Sequence, residues 1–110
     1  MNLGSSLAVI RLSGELEISR RDEIAGALVI GGAESGILLD FSDVTYADST
    51  TLASLLRFRG EAEARQIPIA IVIGSRQFAR VIEYAGLADA FKIFDARAAA
   101  LTYLANAGSR

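Results

Sequence analysis

The chain has 110 residues, a formal net charge of −2, and neither cysteine nor histidine. Its length fits one domain, and an apolar content of 52% favours an aliphatic core over disorder. Disulfides and thiol chemistry are excluded, and the commonest general base and metal ligand is missing. The charge gives no reason to expect nucleic-acid binding, and no apolar run approaches the ~20 residues of a membrane span. We therefore predict one cytoplasmic domain over residues 1–110, with no metal, no cofactor and no membrane insertion.

The first strand is predicted at Leu7–Leu12, because Ser13-Gly14 supplies turn residues directly after an apolar run. Residues 1–6 are poor strand material and are expected to be frayed. A first helix comes next, with Ser19 as its N-cap and Gly31-Gly32 at its end. Its predicted inner residues are Ile24, Ala27 and Leu28.

The stretch from Gly36 to Phe58 predicts a strand, a turn and the start of a helix. Ile37–Phe41 is a short apolar run, typical of a strand that is buried on both faces. Ser42-Asp43 supplies the turn. Asp48 or Ser49 then caps a second helix, which is predicted to run to about Arg65. The predicted apolar stripe of this helix consists of Leu52, Leu55 and Leu56.

The second half predicts a strand, a helix, a strand and a helix. Ile67–Ile73 is the most apolar run and is the predicted central strand. Ser75 caps the third helix and Gly86 closes it, while Asp95 caps the fourth helix after an edge strand at Phe91–Phe94. The predicted inner residues are Phe78, Val81, Ile82 and Ala85 in the third helix and Ala98, Leu101 and Leu104 in the fourth, and residues 106–110 are expected to be frayed. Together the elements predict an α/β fold: a mostly parallel sheet of four to five strands with about four helices.

Three segments resemble STAS domains, in particular bacterial anti-sigma factor antagonists. Leu39–Leu52 is similar to their signature, an apolar strand that ends in Asp, a short loop, and Asp-Ser-(Ser/Thr)-Gly-Leu opening a helix. Leu12–Glu17 looks like Leu-(Thr/Ser)-Gly-Glu-Leu-Asp, with Glu17 in place of Asp. Phe78–Leu87 is similar to the penultimate helix and its Gly-Leu ending. By the order and spacing of these segments, the chain is identified as a member of this family over nearly its whole length.

The resemblance implies a switch at Ser49. The Ser after the motif Asp is the regulated phosphorylation site of the family, so Ser49 is the expected phosphoacceptor and Thr50 a lesser candidate. Unphosphorylated, such a protein binds an anti-sigma factor that is also a serine kinase of the histidine-kinase-like ATPase type, and so frees a sigma factor. Phosphorylation separates the complex, and a serine phosphatase resets it. The expected partner-binding residues are Glu17, Asp48, Ser49, Thr50 and Thr51.

Residues 49–51 leave alternatives open. On residue type and position alone, Ser49 is favoured as a helix cap, and the resemblance reverses that preference. Thr51 stands where the family usually has Gly, and its β-branched side chain adds bulk beside Ser49. It either narrows the range of partners or marks a domain that is no longer phosphorylated.

Other functions compete with this one. The main alternative is a non-phosphorylated STAS scaffold subunit, stressosome-like or bound to an ABC lipid transporter, although such relatives often carry Thr in the position of Ser49.

A Mg²⁺-assisted phosphoryl-aspartate site at Asp40, Asp43 and Asp48 is disfavoured, because the first strand lacks the acidic pair that receiver domains carry after it. A hydrolase or phosphotransferase has little support without His, Cys or a nucleotide-binding loop. We expect a binding protein and not an enzyme.

Overall fold

A computed structural model describes residues 7–31, 34–89 and 91–108. Four parallel strands form one sheet in the order β1-β2-β3-β4, with a helix in each connection. The predicted α/β fold with a parallel sheet is therefore confirmed. The strands are β1 (Leu7–Leu16), β2 (Gly36–Ala47), β3 (Ile69–Ile73) and β4 (Lys92–Phe94). The helices are α1 (Arg21–Ala27), α2 (Ser49–Ala64), α3 (Arg76–Tyr84) and α4 (Arg97–Gly108), and a 3₁₀ turn at Ile18–Arg20 precedes α1.

The sheet separates two apolar layers, because successive strand residues point to opposite faces. On one face, Leu39 of β2 belongs to the large cluster that also contains Leu55 of α2 and Phe78 of α3. On the other face, Leu38 belongs to a smaller cluster under α4. Helices α2 and α3 therefore lie on one side of the sheet and α4 on the other. The remaining buried members of the smaller cluster are Ala70, Val72, Ala100 and Leu104.

Strands β1 and β2 are longer than predicted, and both run through residues that were predicted to turn. Leu16 pairs with Ala47, so the parallel ladder continues to the ends of both strands. Two register shifts let the twelve residues of β2 pair with the ten of β1, and Gly14 adopts a φ of +78° beside one of them. The prediction of turns at Ser13-Gly14 and Ser42-Asp43 was wrong, because pairing between two distant segments outweighs local turn preference.

The first helix starts later and ends earlier than predicted. Ser19 lies within the 3₁₀ turn, and Arg20 holds the N-cap position of α1. The helix ends at Ala27, because a ψ of 70° at Leu28 takes the backbone out of the helical region. The predicted end was Gly31-Gly32, of which Gly32 lies outside the described residues. The buried residues among the predicted inner positions are Ile24 and Leu28.

Both predicted signals around the third helix are confirmed. The Ser75 hydroxyl accepts a hydrogen bond from the backbone N–H of Phe78 at 3.2 Å, as an N-cap does. Gly86 adopts a φ of +74° two residues after the end of α3, where a left-handed residue closes a helix. Phe78 and Ile82 are buried, Val81 is half-buried, and Ala85 is exposed at the C-cap.

The fourth helix differs from its prediction at both ends. The backbone N–H of Ala100 donates to the carbonyl of Ala96, so Ala96 rather than Asp95 lies at the N-cap position. Residues 106–108, which were expected to be frayed, form the end of α4, whereas residues 1–6 and 109–110 lie outside the described part of the chain. Leu104 is buried and Leu101 half-buried as predicted, but Ala98 is exposed. None of the helices in the described residues combines the length and apolar content of a membrane span.

Helix α2 buries a stripe that is rotated from the predicted one. Leu52 and Leu55 are buried, but Leu56 is 40% exposed. The buried residues that complete the stripe are Thr51, Phe58 and Ala62. Spacings of three and four residues keep this stripe on one side of a 3.6-residue helix, against the sheet.

We expect Leu55→Ala to lower the free energy of unfolding by ~2–5 kcal/mol, because it truncates a fully buried side chain. Leu56→Ala is the matched control: it removes the same atoms from an exposed position of the same helix and should cost only about 0.5 kcal/mol. Urea denaturation measures both. Equal losses in the two variants would show that the buried stripe of α2 is misplaced.

Candidate functional site

The residues at the predicted site lie where β1 and β2 end together. Leu16 and Ala47 are the last paired residues of the two strands, and α2 begins two residues later at Ser49. Asp48 has extended backbone, and its Oδ1 atom accepts a hydrogen bond from the N–H of Thr51 at 3.0 Å. Asp48 is therefore the N-cap of α2, one of the two residues predicted for that role.

Ser49 occupies the first position of α2 and is exposed. Within the described residues, no hydrogen bond involves its hydroxyl group. The first turn of a helix carries unpaired N–H groups and the positive end of the helix dipole, so this position tolerates an added anion. Ser49 is therefore accessible from solvent. Thr50, the lesser candidate, is half-buried.

Thr51 points into the protein and not into the space beside Ser49. Thr51 is only 2% exposed, and its hydroxyl lies 3.0 Å from the carbonyl oxygen of Leu16. The same hydroxyl lies 3.2 Å from Oδ1 of Asp48. The bulk expected at the surface from Thr in place of Gly is therefore absent there, and the side chain of Thr51 offers no area to a partner.

Glu17 lies next to the start of α2, as expected for loops at one edge of a parallel sheet. The backbone N–H of Asp48 donates to the carbonyl of Leu16 at 3.1 Å, and Glu17 is the next residue. Glu17 is half-buried and precedes the 3₁₀ turn, whereas Glu15 is an exposed residue of β1. The structure thus brings residues 17–20, the Glu17 segment, close to Asp48 and Ser49.

Arg20 braces the Glu17 segment, a role that the sequence did not reveal. One guanidinium nitrogen donates to the carbonyls of Ser13 and Glu15 at 2.7 and 2.9 Å. The other two donate to the carboxylate of Glu23 at 2.9 and 2.8 Å. These bonds lower the pKa of Glu23 and raise the pKa of Arg20. A single side chain therefore ties the 3₁₀ turn and α1 to the end of β1.

Two exposed apolar residues near the site were also missed. Ile18, directly after Glu17, is 59% exposed, and Tyr46, which pairs with Glu15 across the sheet, is 40% exposed. Exposed apolar residues are common on protein surfaces, and these two lie beside Glu17 and two residues before Asp48. The only sequence signal was an aromatic residue two positions before the cap.

The three aspartates considered for a phosphoryl-aspartate site have separate partners. Burial raises the pKa of Asp40, but hydrogen bonds from Ser42 and the charge of Arg97 outweigh it, so the pKa lies below its ordinary value. Asp43 pairs with Arg11 at the surface, and Asp48 caps α2. Among the described residues, no group of three acidic, His or Cys side chains could hold a metal ion.

Comparisons with known proteins agree with this architecture. A family model described as "Mlab, STAS domain" matches residues 2–95. A sulfate transporter family protein from Wolinella succinogenes has a similar structure, with a TM-score of 0.80 and 19% identity over 100% of this chain and 93% of that one. The anti-sigma factor antagonist SpoIIAA in its unphosphorylated form is also similar, with a TM-score of 0.68 and 20% sequence identity over 96% of this chain and 94% of that one. At these identities the likeness concerns the fold alone. No curated protein sequence matches the chain.

We expect Asp48→Ala to lower the free energy of unfolding by about 1 kcal/mol, because the N–H of Thr51 loses its cap. Asp48→Asn keeps a capping oxygen and should change stability by only a few tenths of a kcal/mol. Urea denaturation of both variants checks this. If Asn destabilises as much as Ala, the charge of Asp48 matters more than its capping bond.

Proposed function

Because the chain belongs to the family of STAS domains, we propose that it is an anti-sigma factor antagonist that is switched off by phosphorylation at Ser49. The observation that carries this proposal is the exposed Ser49 hydroxyl at the first position of α2, directly after the capping Asp48. The similarity in fold to SpoIIAA supports it. In this role the domain is a substrate and a binding partner in the cytoplasm, and not a catalyst.

The switch works through charge at an interface. The unphosphorylated domain binds an anti-sigma factor that is a serine kinase of the histidine-kinase-like ATPase type. The Ser49 oxygen attacks the γ-phosphorus of the ATP held by the kinase, ADP leaves, and the hydroxyl proton passes to the kinase. The phosphate adds about −1.5 to −2 charges beside Asp48, where the partner surface was fitted to a neutral hydroxyl, and the complex separates. A serine phosphatase restores the hydroxyl by hydrolysis.

The proposed contact surface consists of exposed and half-buried residues of the two adjacent segments. Polar contacts come from Glu17, Asp48, Ser49 and Thr50. Ile18 and Tyr46 add the exposed apolar area that binding interfaces concentrate at their centre. Thr51 supports this surface from below through its bond to Leu16.

A second candidate is a STAS subunit that binds its partner without being phosphorylated. The description of the matching family model as a Mlab STAS domain and the likeness to a sulfate transporter family protein favour it. It would use the same surface for a stressosome-like scaffold or for a component of an ABC lipid transporter. The two candidates differ in whether Ser49 is modified.

Phosphopeptide mapping after incubation with cognate cell lysate and ATP separates the candidates. Phosphate at Ser49 supports the switch, and no phosphate within residues 49–51 supports the scaffold. Incubation of the pure protein with phosphodonors tests the enzyme alternative, because an enzyme should turn over alone.

We predict that Ser49→Ala accepts no phosphate and binds the kinase constitutively. Ser49→Glu should keep its urea midpoint, because a carboxylate suits the first turn of a helix, but should bind at least ~10-fold more weakly, since an unpaired charge is desolvated in the complex. Capture of the kinase from lysate by each immobilised variant, with unfolding curves alongside, tests this. Equal capture by wild type and Ser49→Glu would favour the scaffold.

Glu17→Ala is predicted to weaken capture of the kinase while leaving the unfolding midpoint nearly unchanged. The reason is that Glu17 is half-buried at the edge of the site and its side chain makes no hydrogen bond within the described residues. Glu83→Ala, at an exposed position near the C-terminal end of α3, is the matched control. A large loss of stability with unchanged affinity per folded molecule would assign Glu17 to the fold instead.

A further inference from the structure

The carbonyl oxygen of Leu16 joins the two segments of the site. It accepts hydrogen bonds from the backbone N–H of Asp48 at 3.1 Å and from the hydroxyl of Thr51 at 3.0 Å. Leu16 is fully buried and Thr51 is 2% exposed, so water does not compete for these bonds. Hydrogen bonds in such surroundings are stronger than at the surface. The end of β1 is therefore fixed directly to the first turn of α2.

The hydroxyl of Thr51 has two acceptors but carries a single hydrogen. One acceptor is the carbonyl of Leu16, and the other is Oδ1 of Asp48 at 3.2 Å. The hydrogen is therefore divided between the strand end and the helix cap. Any change that moves the carboxylate of Asp48 away leaves the hydrogen to Leu16.

Ser49 is the residue whose charge would move that carboxylate. It comes directly after Asp48, and a negative group on it repels the carboxylate and supplies a competing acceptor for the N–H groups of the first turn. Asp48 is half-buried, so its side chain has access to solvent. A nearby anion therefore weakens the capping bond to Thr51, while its own bonds to the N–H groups of the first turn offset the stability that the weakened cap loses.

The contacts from Ser49 through Asp48 and Thr51 to Leu16 lead to the Glu17 segment, residues 17–20. Glu17 is bonded covalently to Leu16, and its carbonyl accepts the N–H of Arg20 at 2.8 Å. Arg20 in turn holds the carbonyls of Ser13 and Glu15. This segment is thus a short, braced unit, and the carbonyl of Leu16 is its hydrogen-bonded link to the first turn of α2.

We propose that the Thr51 hydroxyl is a positioning group that couples the charge at residue 49 to the order of the Glu17 segment. With a neutral Ser49, the shared hydrogen leaves the segment adaptable to a partner. With an anion at residue 49, the hydrogen is committed to Leu16 and the segment is held more tightly against α2. The inference rests on the proposed function for the source of the charge, and it adds a regulatory role for the residue that replaces the family Gly.

Amide hydrogen exchange of the free protein tests the coupling without any partner. Ser49→Glu is the probe, and residues 17–20 are read through the amide of Arg20, which donates to the carbonyl of Glu17, against that of Ile71 in β3, which reports global unfolding. In an otherwise wild-type chain, Ser49→Glu should slow exchange in residues 17–20 by about threefold relative to Ile71, as expected when a shared hydrogen bond becomes a single one.

The Thr51 variants decide whether the hydroxyl carries the effect. Thr51→Val keeps the shape but removes the hydroxyl, and it leaves the carbonyl of Leu16 bonded to the N–H of Asp48, so the fold should survive. In that background Ser49→Glu should change nothing in residues 17–20. Thr51→Ser keeps the hydroxyl and should retain the response. Thr50→Val, which removes the neighbouring hydroxyl, is the matched control and should also retain it.

Two results would overturn the coupling. One is no change in residues 17–20 on Ser49→Glu in the wild-type background. The other is an equal change in the Thr51→Val background. Failure of the proposed function is a separate result, because it shows as absence of phosphate at Ser49 in lysate while the exchange response of the free protein persists.

Discussion

The parallel pairing of β1 with β2 is the constraint on which the site depends. β3 pairs with β2 only as far as Phe41, whereas β1 accompanies β2 to Ala47. The two strands therefore project together past the rest of the sheet and end side by side. This pairing places the Glu17 segment, after β1, and the cap of α2, after β2, at one edge of the sheet.

Two glycines make that arrangement possible. Gly14 adopts a left-handed φ of +78° beside a register shift, a conformation that costs other residues energy. Gly74 comes directly after β3, and a Cβ atom there would lie only 2.4 Å from the carbonyl oxygen of Ser42. The chain can thus leave β3 against the extended part of β2 only because residue 74 has no side chain. Gly14, which the sequence assigned to a turn, therefore lies at an irregularity inside the paired strands and does not end β1.

The elements that could be predicted from the sequence are those set by neighbouring residues. Capping by Ser75, capping by one of Asp48 and Ser49, and closure by Gly86 depend on three or four consecutive residues, and the sequence predicted them. The equally local caps at Ser19 and Asp95 were wrong, because Arg20 and Ala96 hold those positions. The extensions of β1 and β2 depend on pairing between two segments that are distant in the sequence. The local sequence does not show that pairing, so Ser13-Gly14 and Ser42-Asp43 predict turns. The α2 stripe was misplaced for a related reason: Thr51 is polar by composition, and it can be buried because its hydroxyl finds acceptors in the carbonyl of Leu16 and in Oδ1 of Asp48.

The adjacency of Glu17 to the start of α2 could be predicted from one general rule about parallel sheets, whereas no rule predicts the bracing by Arg20. An arginine that bonds to backbone carbonyls leaves no pattern in the sequence, because every residue has a carbonyl. Ile18 and Tyr46 were missed because apolar residues are usually assigned to the core, and the sequence does not show that these two are exposed.

The protein keeps its structural charge under α4, on one face of the sheet, and its proposed regulatory charge at the edge of the sheet where α2 begins. Asp40 is buried on the face that α4 covers, and its ionised form is stabilised by Ser42 and Arg97. Removing that charge would leave Ser42 and Arg97 without the carboxylate that they bond, and breaking such a pair inside a protein destabilises the fold. Ser49 lies at an exposed helix N-terminus, where an anion is accepted with little effect on the fold. A charge added there has its consequence only where another surface, or the shared hydrogen of Thr51, responds to it, and this is what a reversible switch in a small domain requires.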